Sequence, residues 1–167
     1  RILFVDIDDT TFTTGSRVKV LNKNNQIVSY LTSSEYAHYQ FNGNELFDFS
    51  EFEDSEIFYR TAKPIKPIVN LIKFNYNAIK NGKIGGKIIF LTARTDMNDK
   101  QRFLDTFIRY GINVKDTNII YISRAGNHRM GSIPEAKIKI VKEYLDTGMY
   151  NVAQMYDDLE RNLRSFL

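Results

Sequence analysis

Two aspartates, Asp6 and Asp8, stand two positions apart directly after the apolar run Ile2-Leu3-Phe4-Val5. A carboxylate at the end of a buried strand has two chemical uses. It can attack an electrophilic phosphorus and form an acyl phosphate, or it can hold a hard cation such as Mg2+ through oxygen. A second acidic pair, Asp157-Asp158, follows Val152-Ala153-Gln154-Met155-Tyr156. Carboxylates converging on one point repel one another unless a cation sits among them, so a true cluster of these residues implies a divalent metal. Thr92, after Lys87-Ile88-Ile89-Phe90-Leu91, offers a hydroxyl, and the backbone N–H groups beyond it, at Ala93 and Arg94, can face an anion. A lysine from the helix after Pro134 can neutralise a phosphoryl group and orient the nucleophile. Arg94 is also a candidate contact for substrate or phosphate. Taken singly, each residue has a plainer use: Thr92 or Asp157-Asp158 can cap a helix, and Arg94 can form a surface ion pair.

Chemistry of this kind needs a frame that brings distant segments together. Residues 2–5, 87–91, 118–122 and 152–156 read as strands. Helical patterns run from Pro67 to about Asn81-Gly82, over 99–110 up to Gly111, and over 134–145 with Pro134 in the first turn and Gly148 beyond the end. A last helix starts at about Leu159. Strands alternating with helices predict an α/β fold, a mostly parallel Rossmann-like sheet with helices on both faces. In such sheets the ligand crevice lies outside the carboxyl ends of the strands. Asp6-Ile7-Asp8, Thr92-Ala93-Arg94 and Asp157-Asp158 all fall there.

Residues 12–60 follow a different pattern. They are rich in aromatics, Asn and Ser, with alternating stretches on either side of the turn signal at residues 22–25, which predicts a β-hairpin. We expect residues 1–11 and 61–167 to form the core and 12–60 a small, mostly β insert over it. The aromatics Tyr36, Tyr39, Phe41, Phe47, Phe49 and Phe52 either build the insert's own mini-core or stack a nucleobase; His38 belongs to the same packing.

Four segments, in order, resemble the motifs of the haloacid dehalogenase (HAD) superfamily of phosphohydrolases and cover nearly the whole chain. Asp6-Ile7-Asp8-Asp9-Thr10 is similar to the first, Leu91-Thr92-Ala93-Arg94 to the second, Pro134-Glu135-Ala136-Lys137 to the third and Tyr156-Asp157-Asp158 to the fourth. The resemblance implies a HAD-like core with 12–60 as its cap, and roles by motif position. Asp6 would be the nucleophile that becomes the aspartyl phosphate. Asp8 would be the general acid and then the base, and would give Mg2+ its backbone carbonyl beside the carboxylates of Asp6 and Asp157. Asp158 would meet the metal directly or through water, and Thr92 and Lys137 would hold the phosphoryl oxygens. A second aspartate two residues on suits a phosphatase and disfavours dehalogenation, because it can protonate a poor leaving group. Two positions depart from the pattern: Asp9 replaces the usual glycine, where it reads as a turn residue, and Thr11 replaces a hydrophobic residue. Lys139 competes with Lys137, but Ile140 and Val141 at +3 and +4 from Lys137 favour the latter.

The expected activity is thus Mg2+-dependent hydrolysis of a phosphomonoester, a nucleotide or other phosphorylated small molecule, or a nucleic-acid end. The short spacing also resembles, in the third and fourth motifs, the phosphatase domain of phage polynucleotide kinase-phosphatases. A binding module with little turnover, a small-metabolite phosphatase and phosphotransfer to another acceptor are the alternatives. Among 167 residues, 43% are hydrophobic and 26% charged, as in ordinary globular domains. Zero cysteines exclude disulfides, thiolate metal sites and a cysteine nucleophile, and two histidines argue against a multi-histidine centre. His128, in a glycine-containing loop, is a weaker candidate for substrate contact. The net charge of +3 is uneven: residues 12–60 hold four basic and seven acidic side chains, and residues 61–167 hold eighteen and ten. The basic body favours phosphate-bearing partners. No apolar run reaches a membrane span's length; a cytoplasmic location and no obligate protein partner are expected. Beginning at Arg1 and ending within a helical pattern, the chain reads as trimmed from a longer one.

Overall fold

The computed structural model describes residues 1–127 and 132–167. In chain order its elements are β1 (Ile2–Val5), β2 (Phe12–Thr13), β3 (Arg17–Leu21), β4 (Ile27–Thr32), α1 (Ser33–Ala37), β5 (Leu46–Asp48), α2 (Ser55–Thr61), β6 (Lys63–Pro64), α3 (Lys66–Lys80), β7 (Lys87–Thr92), α4 (Lys100–Arg109), β8 (Ile120–Arg124), α5 (Ile133–Leu145), β9 (Ala153–Tyr156) and α6 (Glu160–Phe166). Four of the strands make one all-parallel sheet in the order β8-β7-β1-β9. The chain leaves β1 towards β7 and β8, then returns to the other side of β1 for β9. That reversal creates a switch point at the carboxyl end of β1, where a crevice opens.

Both faces of this sheet are covered, which is why its central strands read as unbroken apolar runs. Leu3, Val5, Ile88 and Phe90 face α3 and α4 through Val69, Ile72, Phe103 and Phe107. Ile2, Phe4, Ile89 and Leu91 face α5 and α6 through Ala136, Ile140, Val141 and Phe166. Helix ends follow local chemistry. Ser132 and Glu135 form a capping box at α5, Asp99 accepts from the Arg102 N–H at α4, and Pro67 opens α3.

The segment after β1 makes its own three-stranded antiparallel sheet, β4-β3-β5, with the predicted hairpin between β3 and β4. Val18, Val20 and Leu31 form its small core with Tyr39, Phe47 and Phe52 against them. His38 is exposed rather than packed. The excursion is also narrower than residues 12–60. Phe12 and Phe58 are fully buried in the main core, their rings 5.8 Å apart, with Phe58 4.9 Å from Phe103. Burying two such rings is worth roughly 1.5–3 kcal/mol each, which draws β2 and α2 onto the body and leaves 14–53 as the excursion. Among the described residues, no helix is long and apolar enough to cross a membrane.

Candidate active site

β1 carries Asp6 to the switch point, and the turn beyond it is unusually well determined. The Ile7 carbonyl accepts from the N–H groups of Thr10, Thr11 and Phe12, and the Asp9 N–H returns to the Phe12 carbonyl at 2.8 Å. Asp9 takes φ 61°, a left-handed conformation that glycine adopts freely and Asp tolerates better than most residues. This explains how Asp9 serves at a turn position where glycine would be the easier residue. Thr11 is fully buried, and its hydroxyl donates to the Asp6 carbonyl at 2.7 Å; a hydrophobic residue there would leave that carbonyl unpartnered.

Asp157 and Asp158 follow β9, the neighbour of β1. Lys137, on the first turns of α5 and 2% exposed, donates from Nζ to Asp6 Oδ1 at 3.0 Å and to Asp157 Oδ2 at 2.7 Å. Lys139 points to solvent, and Ile140 and Val141 pack the Lys137 face down. Thr10 Oγ1 lies within reach of Asp6 Oδ2 (3.4 Å) and Asp158 Oδ1 (3.3 Å). Asp157 also accepts from the Leu159 N–H and from Asn162 Nδ2, at 2.9 and 3.0 Å.

One oxygen from each of Asp6, Asp157 and Asp158 fits within 4.8 Å of the others. The donors are all hard oxygens, as Mg2+ requires. Burial pushes the Asp6 carboxyl well above its ordinary value; Lys137 opposes this and Asp157 adds to it. Burial alone would lower the Lys137 ammonium, but Asp6 and Asp157 outweigh it and raise it. Lys137 is therefore charged at neutral pH, and one ammonium serves two buried carboxylates. That shortfall of positive charge is what a divalent cation relieves.

The Asp8 carboxylate is absent from this trio. It turns instead to Arg94, 4% exposed, which grips it with two bonds: Nε to Oδ2 at 2.9 Å and Nη2 to Oδ1 at 2.7 Å. Nη1 donates to the Phe52 carbonyl at 2.9 Å, and Nη2 also lies 3.4 Å from Thr14 and Ser16 hydroxyls. Arg94 thus lines the cavity as expected of a substrate contact, yet its donors orient Asp8 and tie the excursion to the body. Thr92 is fully buried and its hydroxyl accepts from the Arg94 N–H at 3.0 Å, which shapes the loop through Ala93. Gly126 lies so close to this loop that a Cβ would come within 2.2 Å of the Ala93 carbonyl oxygen. His128 lies outside the described residues.

A cavity of about 420 Å3 opens above these groups, with Asp6, Asp8, Lys137 and Asp158 in its floor. Sequence reasoning missed Asn162, which is 3% exposed and steadies Asp157; an asparagine on the inward face of the helix after an acidic pair was the available signal. It also missed Ser33, whose hydroxyl donates to Asp9 at 2.6 Å, a contact between segments with no local signature. Comparison with protein-family models, with curated proteins and with solved structures returns no match to this chain.

Proposed function

We propose that this chain is a Mg2+-dependent phosphomonoester hydrolase of the HAD type, with the α/β body as its core and residues 14–53 as its cap. The observation that carries the proposal is the salt link from Lys137 to both Asp6 and Asp157 across adjacent parallel strands, with Asp158 close enough to complete a three-carboxylate cluster. A nucleophile, a fixed cation and a cation-binding oxygen set then share one point at the mouth of a cavity.

Asp6 attacks the phosphorus with one carboxylate oxygen, and the bond to the leaving oxygen breaks. Asp8 gives that oxygen a proton, so the alcohol departs and the phosphoryl group stays on Asp6. Asp8 then takes a proton from water as the water attacks the same phosphorus, which releases inorganic phosphate and regenerates Asp6. Lys137 steadies phosphoryl charge beside the nucleophile. Both Asp8 oxygens accept from Arg94, so Asp8 leaves one of these bonds to carry its proton in the first half and acts as the base of the second half from the position in which Arg94 holds it. Mg2+, held by Asp6, Asp157 and Asp158, would supply charge neutralisation for the incoming phosphate dianion.

The test is phosphate release from a panel of phosphomonoesters in Mg2+, with EDTA and Asp6→Asn as controls. Release abolished by both controls is expected. Release that survives either one, or none from folded protein on any ester, would refute the proposal and favour a binding module.

A further inference from the structure

The cavity has two unlike halves. Its floor is charged, while its roof is apolar and comes from the excursion: Val18, Tyr36, Ala37, Phe49 and Phe52. Tyr36 and Phe49 are 37% and 41% exposed, and their rings meet edge to face at 85° with centroids 5.2 Å apart. Phe47 backs both rings from behind. Arg94 covers Phe52 at 4.9 Å. Tyr36 and Phe49 are therefore the most open rings of the roof, a right-angled corner that offers one ring a face and an edge at once.

Spacing narrows what can fill that corner. Tyr36 lies three residues along α1 from Ser33, whose hydroxyl holds Asp9 in the catalytic turn. The corner and the charged floor line one cavity, so a ligand that reaches both needs its ring held away from its phosphate, as a pentose holds a base. Charge narrows it further. The cavity wall carries five carboxylates, Asp6, Asp8, Asp9, Glu53 and Asp158, against Arg94, Lys137 and Arg161. Arg94 and Lys137 are already paired with carboxylates. With the proposed Mg2+ the positive charge only matches those five carboxylates, so none is left over to hold a second phosphate. The segment 12–60 has a net negative charge, so it does not itself supply the basic track that nucleic acids require. The volume lies within the ~300–1,000 Å3 of small-molecule sites.

We propose, resting on the hydrolase assignment, that the substrate is a free nucleoside monophosphate, with its base in the Tyr36–Phe49 corner and its single phosphate at Asp6. The body's basic balance pointed equally to a nucleic-acid end; the aromatic roof over an acidic wall favours the mononucleotide.

Two measurements separate this inference from the hydrolase assignment. The first is equilibrium binding in Mg2+ to the Asp6→Asn protein, which needs no turnover. The ligands are the 3′- and 5′-monophosphates of one nucleoside, ribose 5-phosphate, and an end-phosphorylated oligonucleotide. The better mononucleotide is expected to bind about 10- to 100-fold tighter than ribose 5-phosphate, the gain of one stacked base. Tyr36→Ala and Phe49→Ala, each added to Asp6→Asn, are expected to erase that preference while leaving ribose 5-phosphate binding within about twofold; Tyr36→Phe is expected to keep it. Equal affinity for mononucleotide and ribose 5-phosphate, or tighter binding of the oligonucleotide, overturns the inference. The second is phosphate release by the unaltered protein. Preferred mononucleotide binding without release supports the nucleotide site and removes the hydrolase assignment instead.

Discussion

The floor of the site and the excursion above it are built by opposite means. On the floor, Asp6, Asp157, Lys137, Thr11 and Asn162 are buried, and each has at least one bonded partner supplied by another. Their positions are set by the ends of β1 and β9 and by the first turns of α5. The excursion rests on a small core, Val18, Val20 and Leu31, and leaves Tyr36, Phe41 and Phe49 exposed. It meets the floor through a few polar ties: Ser33 to Asp9, and Thr14, Ser16 and the Phe52 carbonyl to Arg94. The contrast teaches a division of labour. A dense network with no slack suits charge chemistry, which depends on sub-ångström positioning. A lightly anchored roof suits selection and exchange of ligands.

The sharpest way to break that contrast is to remove the floor's central cation. Lys137→Met is expected to lower turnover by at least about 10³-fold, as loss of a preorganised charge at a reacting centre does. It should also cost about 3 kcal/mol in the metal-free protein, because two buried carboxylates lose their shared partner. Urea unfolding with and without Mg2+ checks this, and Mg2+ should recover part of the loss. A variant as stable and active as the parent would mean that the floor is not a coupled unit.

Arg94 belongs to both regions, so its replacement sharpens the comparison. Lysine keeps the charge but cannot make two parallel bonds. Arg94→Lys is expected to reduce kcat about 10- to 100-fold, at or below the low end of the ~10²–10⁴-fold that a positioned acid–base group contributes, with a smaller change in KM. A change confined to KM would assign Arg94 to substrate binding instead.

The metal adds a pH-dependent test of the floor alone. Asp6 is raised above its ordinary value by burial. Its contribution to stability is complete below that ordinary value and is lost as pH rises through the higher folded one. Mg2+ replaces the proton there, so it should stabilise more at about pH 8, where a hundredfold excess over Kd gives about 2.7 kcal/mol, than at about pH 5. Thermal unfolding at the two pH values reads this out; equal shifts at both would place the ion elsewhere.

The smallest expected effect lies in the roof. Ser33→Ala removes the tie to Asp9 and should cost about 1 kcal/mol, with turnover reduced only a few-fold and mainly through KM. Loss as large as that of Lys137→Met would show that the two regions act as one.

The same contrast governs what could be read from the sequence. Asp6, Asp157 and Asp158 follow apolar runs, and a parallel sheet brings the ends of such runs together, so the convergence of these three was legible from pattern and topology. Lys137 was separable from Lys139 because Ile140 and Val141 mark the inward face of α5. Arg94 was visible as a residue but not in its use, since its partner Asp8 lies far away along the chain and nothing local couples them. Phe58 was assigned to the insert for the same reason: its partners Phe103 and Phe107 lie on α4, and short α2 has too few residues for a clear period. The aromatic wealth of residues 36–52 was evident, whereas the division between Phe47 in the mini-core and Tyr36 and Phe49 over the cavity depends on the register of β3 with β5.

The central claim is that Asp6 carries the phosphoryl group. The direct measurement is to mix the protein with a phosphomonoester labelled in its phosphoryl group, in Mg2+, quench in acid within a turnover, and map the labelled peptide. Label on Asp6, discharged by water on longer incubation and absent from Asp6→Asn, is the predicted result. Phosphate formed at the full rate with label nowhere on the protein, or label on another residue, would contradict it.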